Sequence, residues 1–417
     1  MKILHTSDWH LGQLFYGKSR EREQAAFLDW LVTQVAEHGV DAVLVAGDLF
    51  DTGTPPSYAR TLYNRFIVKL HQTCPDCQLI LLAGNHDSVA VLNESKGLLN
   101  ALNTQVIAGA NPEQLECVAE GDTDTLNDLL IPLTGLSGDT EAVLCAIPFL
   151  RPSDLMRSRA DLSAEDRRQQ LQQQISDYYQ RLYELAKQHY PHLPVVMTGH
   201  LTTVGASTSE SVKEIYIGTL DAFPAQAFPS ADYIALGHIH RPQKVAKSEH
   251  IRYCGSPMSL SFDERSKEKQ VLIVHLDQDK GFLCADSVPV PNFQPMSRIS
   301  GDLAEIEQQI TDISADANFS ESELPVWLEI NVETEDYLAD LQPRIEAMIE
   351  GLPMEVLRIR RQNRSRTTLA DHAPSAQLDE LTPEEVFLKR LEAEDLDEER
   401  RSALIDCFHQ IQEELKP

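Results

Sequence analysis

The segment DYIALGHIHRPQ, residues 232–243, passes from strand-like apolar residues directly into Gly237-His238-Ile239-His240. Side chains two residues apart point the same way along an extended chain, so His238 and His240 face a common side. Two imidazoles held together at the end of a buried strand predict a ligand site. The segment therefore indicates a fold in which a sheet presents polar side chains where its strands end.

The same arrangement occurs four more times along the chain. Apolar runs lead into Asp8-Trp9-His10, Gly47-Asp48, Gly84-Asn85-His86-Asp87 and Gly199-His200. In open α/β sheets the ligand site lies outside the carboxyl ends of the strands, so these side chains can converge despite their separation in sequence. We expect the glycines before Asp48, Asn85, His200 and His238 to let the backbone turn sharply as it leaves the sheet. A single histidine after a strand is more often a core or surface residue, but five such blocks together favour a functional site.

The donor atoms of these blocks indicate which metal they suit. The candidate ligands are Asp8, His10, Asp48, Asn85, His200, His238 and His240. They offer oxygen and imidazole groups but no thiolate, which suits manganese or iron better than a structural zinc ion. Seven side chains exceed the needs of one ion, whereas two ions that share a bridging carboxylate would use them all. Two ions about 4 Å apart are the usual arrangement for displacement at phosphorus.

The alternation of strands and helices predicts an α/β fold with more than one domain. The strand candidates are KILHTSD, DAVLVAGD, QLILLAGNHD, AVLCAIP, PVVMTGH, DYIALGHIH and IRYCGS. Two helices are indicated by apolar residues at helical spacing, one ending at Gly39 and one running from Leu171 to Leu185. We expect a large domain over residues 1–285, and an accessory strand-helix-strand domain over 286–362.

The C-terminal part of the chain reads differently. Residues 363–380 are polar without a period and are predicted to be a linker, and residues 381–417 are predicted to be helical. The last helix has an apolar stripe, Leu404, Phe408, Ile411 and Leu415. The stripe either packs back on the main body or docks on a partner helix, and the second alternative is favoured because the segment has little domain of its own.

Composition limits the classes of function. The chain has 417 residues, a net charge of −29 and seven cysteines. So acidic a protein does not coat nucleic acid by bulk electrostatics, and any DNA contact must be local, metal-assisted or shared with a partner. No apolar run of membrane-spanning length and no secretory signal is present, so we expect a cytoplasmic protein without a membrane segment. The cysteines, including Cys74 and Cys77, are expected to be reduced thiols, with a metal or redox role as the alternative.

The order D-x-H, G-D-x-x-D, G-N-H-D, G-H, G-H-x-H resembles that of the calcineurin-like metallophosphoesterase superfamily. The stretches ILHTSDWHLGQ, AGDLFDTGTPPSYARTLYNRF, LAGNHDS, TGHLTTVGA, IALGHIHRPQ and YCGSPMSLSF resemble its DNA-repair nuclease branch, the bacterial counterparts of the eukaryotic and archaeal double-strand-break repair nuclease. The resemblance implies a sandwich of β-sheets flanked by helices, a small α/β capping domain and C-terminal helices.

The resemblance also implies a role for each residue of the motifs. One ion would be held by Asp8, His10, Asp48 and His240, and the other by Asp48, Asn85, His200 and His238, with Asp48 as the bridge. His86 matches the proton donor to the leaving oxygen. Asp51 matches the carboxylate that orients this histidine, although archaeal members have histidine at that place.

As a function, the resemblance implies a two-metal, manganese-dependent DNA nuclease that acts in repair and recombination as an exonuclease on duplex ends and an endonuclease on hairpins and single strands. The implied partners are a coiled-coil ATPase bound by the C-terminal helices and a second copy of the chain, giving a homodimer within a heterotetramer. Any ATP requirement would come from the ATPase partner. The alternatives are a phosphodiesterase on small substrates and an inactive scaffold of the ATPase complex.

Several basic and apolar groups are candidates for binding DNA or a second copy of the chain, with ordinary surface or core roles as the alternative. The basic candidates are Lys18, Arg20, Arg22, Arg60, Arg65, Arg358, Arg360, Arg361, Arg364 and Arg366. The apolar stripe of the helix SYARTLYNRFIVKL, residues 57–70, packs either on the sheet or at a dimer contact.

Overall fold

The structure is a computed structural model that describes residues 1–111, 114, 126, 129–135, 137–155, 163–207, 222–265, 268–315, 324–333 and 340–362. The predicted linker, the C-terminal helices, Arg364 and Arg366 lie outside the described residues. No helix in the described ranges is long and apolar enough to cross a membrane.

The described strands, in chain order, are β1 Lys2–Thr6, β2 Leu14–Phe15, β3 Lys18–Ser19, β4 Ala42–Ala46, β5 Gln78–Leu82, β6 Thr104–Ile107, β7 Leu130–Thr134, β8 Thr140–Cys145, β9 Val195–His200, β10 Tyr233–Gly237, β11 Gln243–Lys244, β12 Ile251–Tyr253, β13 Gln270–Asp277, β14 Gly281–Pro289, β15 Met296–Gly301, β16 Val326–Glu333 and β17 Met354–Gln362. The described helices are α1 Glu21–His38, α2 Ser57–Thr73, α3 Val89–Asn93, α4 Lys96–Asn100, α5 Pro152–Leu155, α6 Ala164–His189, α7 Leu303–Ala315 and α8 Leu341–Ile349. Each of the seven predicted strands is present.

Two six-stranded sheets form the large domain, with strand orders β14-β13-β1-β4-β5-β6 and β11-β12-β10-β9-β8-β7. In the first sheet β1, β4, β5 and β6 run parallel, and in the second β8, β9, β10 and β12 do. All strands that lead into the five polar blocks are therefore parallel strands, whose carboxyl ends lie at one edge of their sheet.

The two sheets pack face to face and are covered by helices on their outer faces. Because successive side chains of a strand alternate between faces, Leu44 of β4 packs between the sheets while its neighbours Val43 and Val45 pack in the outer core with α1 and α2. On the other side, the outer face of the second sheet packs against α6. The layers are thus helix, sheet, sheet, helix, as expected for the predicted sandwich.

Both helices predicted from spacing are present. The first, α1, ends at Gly39, whose φ of 58° is in the left-handed region and whose N–H donates to the carbonyls of Val35 and Ala36. Residues 171–185 lie within α6, which begins after Ser163, whose hydroxyl accepts from the N–H of Asp166. The stripe of α2 is buried within this one chain, which confirms the core alternative for those side chains: Ala59, Leu62, Tyr63, Phe66, Ile67 and Leu70.

The accessory domain is a parallel sheet of β15, β16 and β17 with α7 and α8 packed on one face. The sequence predicted only its last strand-helix-strand part, so β15 and α7 were missed. On the other face, Trp327 of β16 stacks on Phe15 of the large domain with ring centroids 5.5 Å apart. Strand β14 runs through Pro289 in the sheet of the large domain, so we propose to place the domain boundary after this strand instead of at residue 285.

Candidate metal centre

The candidate ligands all lie where parallel strands of the two sheets end. Asp8 and His10 follow β1, Asp48 follows β4 and Asn85 follows β5 in the first sheet. In the second sheet His200 ends β9, and His238 and His240 follow β10. The strand ends of the two sheets face each other across the sandwich, so all seven side chains meet at one edge of the molecule.

The side chains form two groups around Asp48. Ligand atoms of Asp8, His10 and His240 all lie within 4.8 Å of one another, and so do those of Asp48, His200 and His238. Asp48 Oδ2 lies 3.6 Å from His10 Nε2 in the first group and 3.2 Å from His200 Nε2 in its own.

Asn85 completes the second group. Its Oδ1 lies 3.0 Å from His200 Nε2. The structure therefore brings together all seven residues that the sequence singled out, and it puts the Asp48 carboxylate between the two groups.

The backbone at the centre is held in an uncommon conformation. Asp8, His10, Asp48 and His238 have φ values of 55°, 45°, 52° and 90°, and they are four of the eight described non-glycine residues with positive φ. Such conformations cost free energy and persist where the surroundings enforce them, commonly at functional sites. Here the loops after β1 and β4 hold each other, because the Asp8 N–H donates to Gly47 O at 2.9 Å and the His10 N–H donates to Asp48 O at 3.1 Å.

The glycines before the ligands serve mainly close packing, which corrects the expectation from the sequence. Among those before Asp48, Asn85, His200 and His238, a φ in the left-handed region is found only at Gly47, at +96°. At Gly84 a Cβ would lie 2.2 Å from Asp48 Oδ1, and at Gly237 it would lie 2.0 Å from the Ala46 carbonyl oxygen. Glycine is needed there because neighbouring loops approach the backbone too closely for any side chain.

Each of three candidate histidine ligands has an outer partner at Nδ1. His10 Nδ1 lies 3.2 Å from Asp51 Oδ1, and His200 Nδ1 lies 2.9 Å from the Ala46 carbonyl. His240 Nδ1 lies 3.5 Å from Glu264 Oε1. An acceptor at Nδ1 fixes the tautomer whose Nε2 carries the lone pair, as is usual for metal-bound histidines.

The residues fit a divalent cation. His10 Nε2 is buried and has no hydrogen-bond partner within the described part of the chain, although it faces the carboxylate of Asp48. A buried polar atom left without a partner is costly, and a cation coordinated by Nε2 would satisfy it. The donor set of carboxylate, amide and imidazole suits a hard or borderline ion such as manganese.

Electrostatics at the centre also favour a positive charge. Burial raises the pKa of Asp48, but the adjacent His200 and His10 lower it by more than that, so the carboxyl pKa is well below its ordinary value. Burial lowers the pKa of His200 while Asp48 raises it, and the net result is a pKa of about 9. The carboxylates thus attract protons onto neighbouring imidazoles, and a divalent ion would supply that charge instead.

His86 and Asp51 lie beside the ligands, at the more open side of the centre. The His86 N–H donates to Asp48 Oδ1 at 2.9 Å, and its Nδ1 lies 2.6 Å from the backbone carbonyl of Asp51. The rings of His86 and His10 meet edge to face, with centroids 4.8 Å apart. Asp51 thus contacts His86 through its carbonyl, while its carboxylate contacts His10.

Sequence reasoning missed two buried carboxylates that shape the site. Asp87 accepts from the N–H groups of Leu49, Phe50 and Gly84 at 3.1, 2.9 and 2.8 Å, and so ties the loop after β4 to the loop after β5. Its place in the Gly84–Asp87 block could have indicated such a role. Glu264 contacts His240 from a distant part of the chain, and no local pattern marks it.

The basic candidates are only partly available to a ligand. Arg20 is buried and bonds to Glu23 and Gln13, which corrects its interpretation as a surface cation. Lys18 pairs with Glu355 at 2.9 Å. Arg358 donates to the Tyr16 hydroxyl at 3.0 Å and lies on the face of the accessory sheet that also carries Trp327.

Two family models match parts of this chain. Residues 1–242 match the family described as Calcineurin-like phosphoesterase, and residues 292–395 match the one described as Type 5 capsule protein repressor C-terminal domain. The chain is 50% identical over 414 residues to an Escherichia coli K12 protein named as the SbcD component of the nuclease SbcCD, a match that covers 98% of this chain and 97% of that protein.

More distant relatives carry the same name. The Rhodobacter capsulatus protein is 32% identical over 400 residues, with 93% of both chains covered, and the Bacillus subtilis protein is 31% identical over 279 residues, with 66% of both covered. The phosphoesterase match includes more than half of the 417 residues, and the match to the Escherichia coli protein runs almost end to end. The chain therefore belongs to the SbcD family of nuclease proteins, within the calcineurin-like phosphoesterases.

Proposed function

We propose that the chain is a manganese-dependent DNA nuclease that cleaves duplex ends and hairpins together with a coiled-coil ATPase of the SbcC type, in DNA repair and recombination. The observation that carries this proposal is the convergence of six oxygen and imidazole side chains on two sides of the Asp48 carboxylate. The relatives named as nuclease components support DNA as the substrate.

The geometry supports a definite assignment of the ligands. Asp8, His10 and His240 would hold one ion, Asn85, His200 and His238 would hold the other, and Asp48 would bridge them. When bound, two divalent ions about 4 Å apart supply a nucleophile at neutral pH and neutralise charge on the phosphate oxygens. The pairing of His240 with Asp8 and of His238 with His200 in separate groups supports this division.

His86 is the proposed proton donor. It is more exposed than the ligand histidines, and its Nδ1 faces the Asp51 carbonyl at 2.6 Å. That acceptor holds the ring with a proton on Nδ1, so Nε2 of the protonated ring is the atom that can donate to the departing sugar oxygen. The Asp51 carboxylate would act on the adjacent ligand His10, and we propose that Asp51 orients both histidines through different atoms.

DNA affinity must come from a small part of the surface, because the net charge is −29. Arg298, Arg358 and Arg360 gather around the buried carboxylate of Glu329 on one face of the accessory sheet. We propose that this face contributes phosphate contacts. The ATPase partner and a second copy of the chain would supply the remaining surface, with the C-terminal helices binding the ATPase coiled coil.

The decisive experiment is cleavage of a linear duplex and a hairpin DNA by the purified chain with manganese, with and without the ATPase. We expect metal-dependent cleavage that the partner stimulates. His86→Ala should abolish turnover with manganese content unchanged, whereas Asp48→Ala should empty both sites.

A different outcome would redirect the assignment. Hydrolysis of a small chromogenic phosphodiester with DNA intact in every mixture would show a phosphodiesterase on small substrates. Loss of metal together with turnover in His86→Ala would refute the proton-donor role. No hydrolysis of any phosphodiester, in a chain that still binds the ATPase, would indicate a scaffold.

A further inference from the structure

A buried ion pair lies directly behind the candidate ligand His240. Glu264 is fully buried and its Oε1 lies 3.5 Å from His240 Nδ1, on the side of the ring away from Asp8. His240 Nε2 points the other way and lies 4.0 Å from Asp8 Oδ1. The second oxygen of Glu264, Oε2, accepts from Lys269 Nζ at 2.6 Å.

The same pair also holds the backbone of His240. Lys269 Nζ lies 3.4 Å from the His240 carbonyl oxygen and 2.9 Å from the Ser256 hydroxyl. The Ser256 N–H donates to that carbonyl at 3.2 Å, and the Leu260 N–H donates to Glu264 Oε2 at 3.1 Å. Both the ring and the main chain of His240 are therefore held by one network, built from Ser256, Leu260, Glu264 and Lys269.

We propose that Glu264, with Lys269 as its counter-charge, is a positioning residue that sets the affinity of the ion held by Asp8, His10 and His240. This inference rests on the ligand assignment of the proposed function. A carboxylate at Nδ1 holds the proton there, directs the Nε2 lone pair at the ion and makes the imidazole a stronger donor. Lys269 neutralises the buried carboxylate, so the contact adds no net negative charge to the centre.

The two ions should respond differently to the loss of this carboxylate. In the second group, Nδ1 of His200 faces the neutral carbonyl of Ala46, and the network of Glu264 does not reach that ring in any described contact. Replacing Glu264 should therefore weaken the binding of one ion and leave the binding of the other unchanged. If Glu264 had a purely structural role, its replacement would instead lower the affinity for both ions together with the stability of the fold.

The experiment compares Glu264→Gln, Lys269→Met and the double variant Glu264→Gln/Lys269→Met in the full-length chain. Manganese binding to metal-free protein is followed by calorimetry and electron paramagnetic resonance, and folding by chemical denaturation. All variants carry Cys284→Ser, because His275, Cys284 and Asp286 form a surface group that could bind a third ion. Glu329→Gln is the matched control, since Glu329 is a fully buried carboxylate paired with Arg298 in the accessory domain.

We expect Glu264→Gln to lower the affinity for one manganese ion by about 10- to 100-fold and to leave the other within about twofold. Hydrolysis of a small phosphodiester should recover at high manganese concentration, with the apparent metal constant shifted by the same factor. The double variant removes both charges and should regain stability while its manganese affinity stays low. Glu329→Gln should leave both ions unchanged.

Three results would overturn the inference. They are unchanged binding of both ions in Glu264→Gln, an equal loss of both ions, and full recovery of affinity in the double variant, which would show that Glu264 only compensates Lys269. Failure of the proposed function is distinguishable, because it would show in the chain with native Glu264 and Lys269 as a lack of manganese binding or of phosphodiester hydrolysis.

Discussion

Adding one methyl group at Gly84 should disrupt the metal centre although every candidate ligand residue is retained. In Gly84→Ala the new Cβ would lie 2.2 Å from Asp48 Oδ1 and 2.3 Å from the Asp48 backbone nitrogen. Ordinary van der Waals contact begins at 3.4 Å, so the two loops must separate by about 1 Å. The backbone nitrogen cannot rotate away as a side chain could, so the loop that carries Asp48 has to move.

The expected cost follows from that displacement. Overpacking of a close-packed region costs about 1–3 kcal/mol of folding free energy. A shift of about 1 Å in a reacting constellation costs on the order of 100-fold in rate. Because Asp48 lies between both ligand groups, both manganese affinities should fall in this variant.

Gly97→Ala is the matched control. Gly97 lies inside α4, and apart from its chain neighbours and the backbone of its own helix, no atom of the described residues would lie within 4 Å of a Cβ there. We expect its stability to be unchanged or raised by up to about 1 kcal/mol, because alanine loses less backbone entropy on folding. Stability is measured by urea denaturation of the metal-free proteins, manganese affinity by calorimetry, and the catalytic rate by hydrolysis of a small phosphodiester. Native stability and native manganese affinity in Gly84→Ala would refute the packing argument.

Three further variants test other parts of the structure. Asp87→Asn should lower the free energy of unfolding by about 1.5–3 kcal/mol and weaken the binding of both ions. In the native chain three backbone N–H groups donate to the Asp87 carboxylate, and in the variant the amide nitrogen would face one of these donors. His5 is buried against the Tyr233 hydroxyl, and burial lowers its pKa to about 3. Between pH 6.5 and that value only the unfolded chain takes up this proton, so lowering the pH from 7.5 to 5 should reduce the free energy of unfolding of the native chain by about 2 kcal/mol. The double variant His5→Phe/Tyr233→Phe should lack this loss. Trp327→Ala should remove the stack on Phe15 and lower the free energy of unfolding by about 3–5 kcal/mol, while the large domain should still bind manganese.

Each of these has a defined contrary result. Unchanged denaturation and metal binding in Asp87→Asn would show that the three N–H bonds do not hold the loops. An equal fall in stability with pH in the double variant and the native chain would show that His5 takes up its proton in the folded state. Loss of manganese on removal of Trp327 would show that the accessory domain supports the centre directly.

The α/β class, seven strands of the large domain and the seven candidate ligands could all be predicted from the order of residues. They could be predicted because parallel strands end at a common edge, so a polar residue directly after each apolar run must lie near the others. The end of α1 at Gly39 could also be predicted, because a left-handed C-cap is a local requirement that favours glycine. These inferences depend on residues close together along the chain.

The surroundings of those ligands became visible only in the folded chain. Gly84 and Gly237 are needed for close approach between loops, Arg20 is buried in an ion pair, and Glu264 and Lys269 hold His240. Each of these facts depends on which distant segments meet, and neither periodicity nor spacing along the chain carries that information. The candidate metal ligands could be picked out from sequence because backbone topology brings them together, whereas their supporting contacts arise from side-chain packing that exists only in the folded protein.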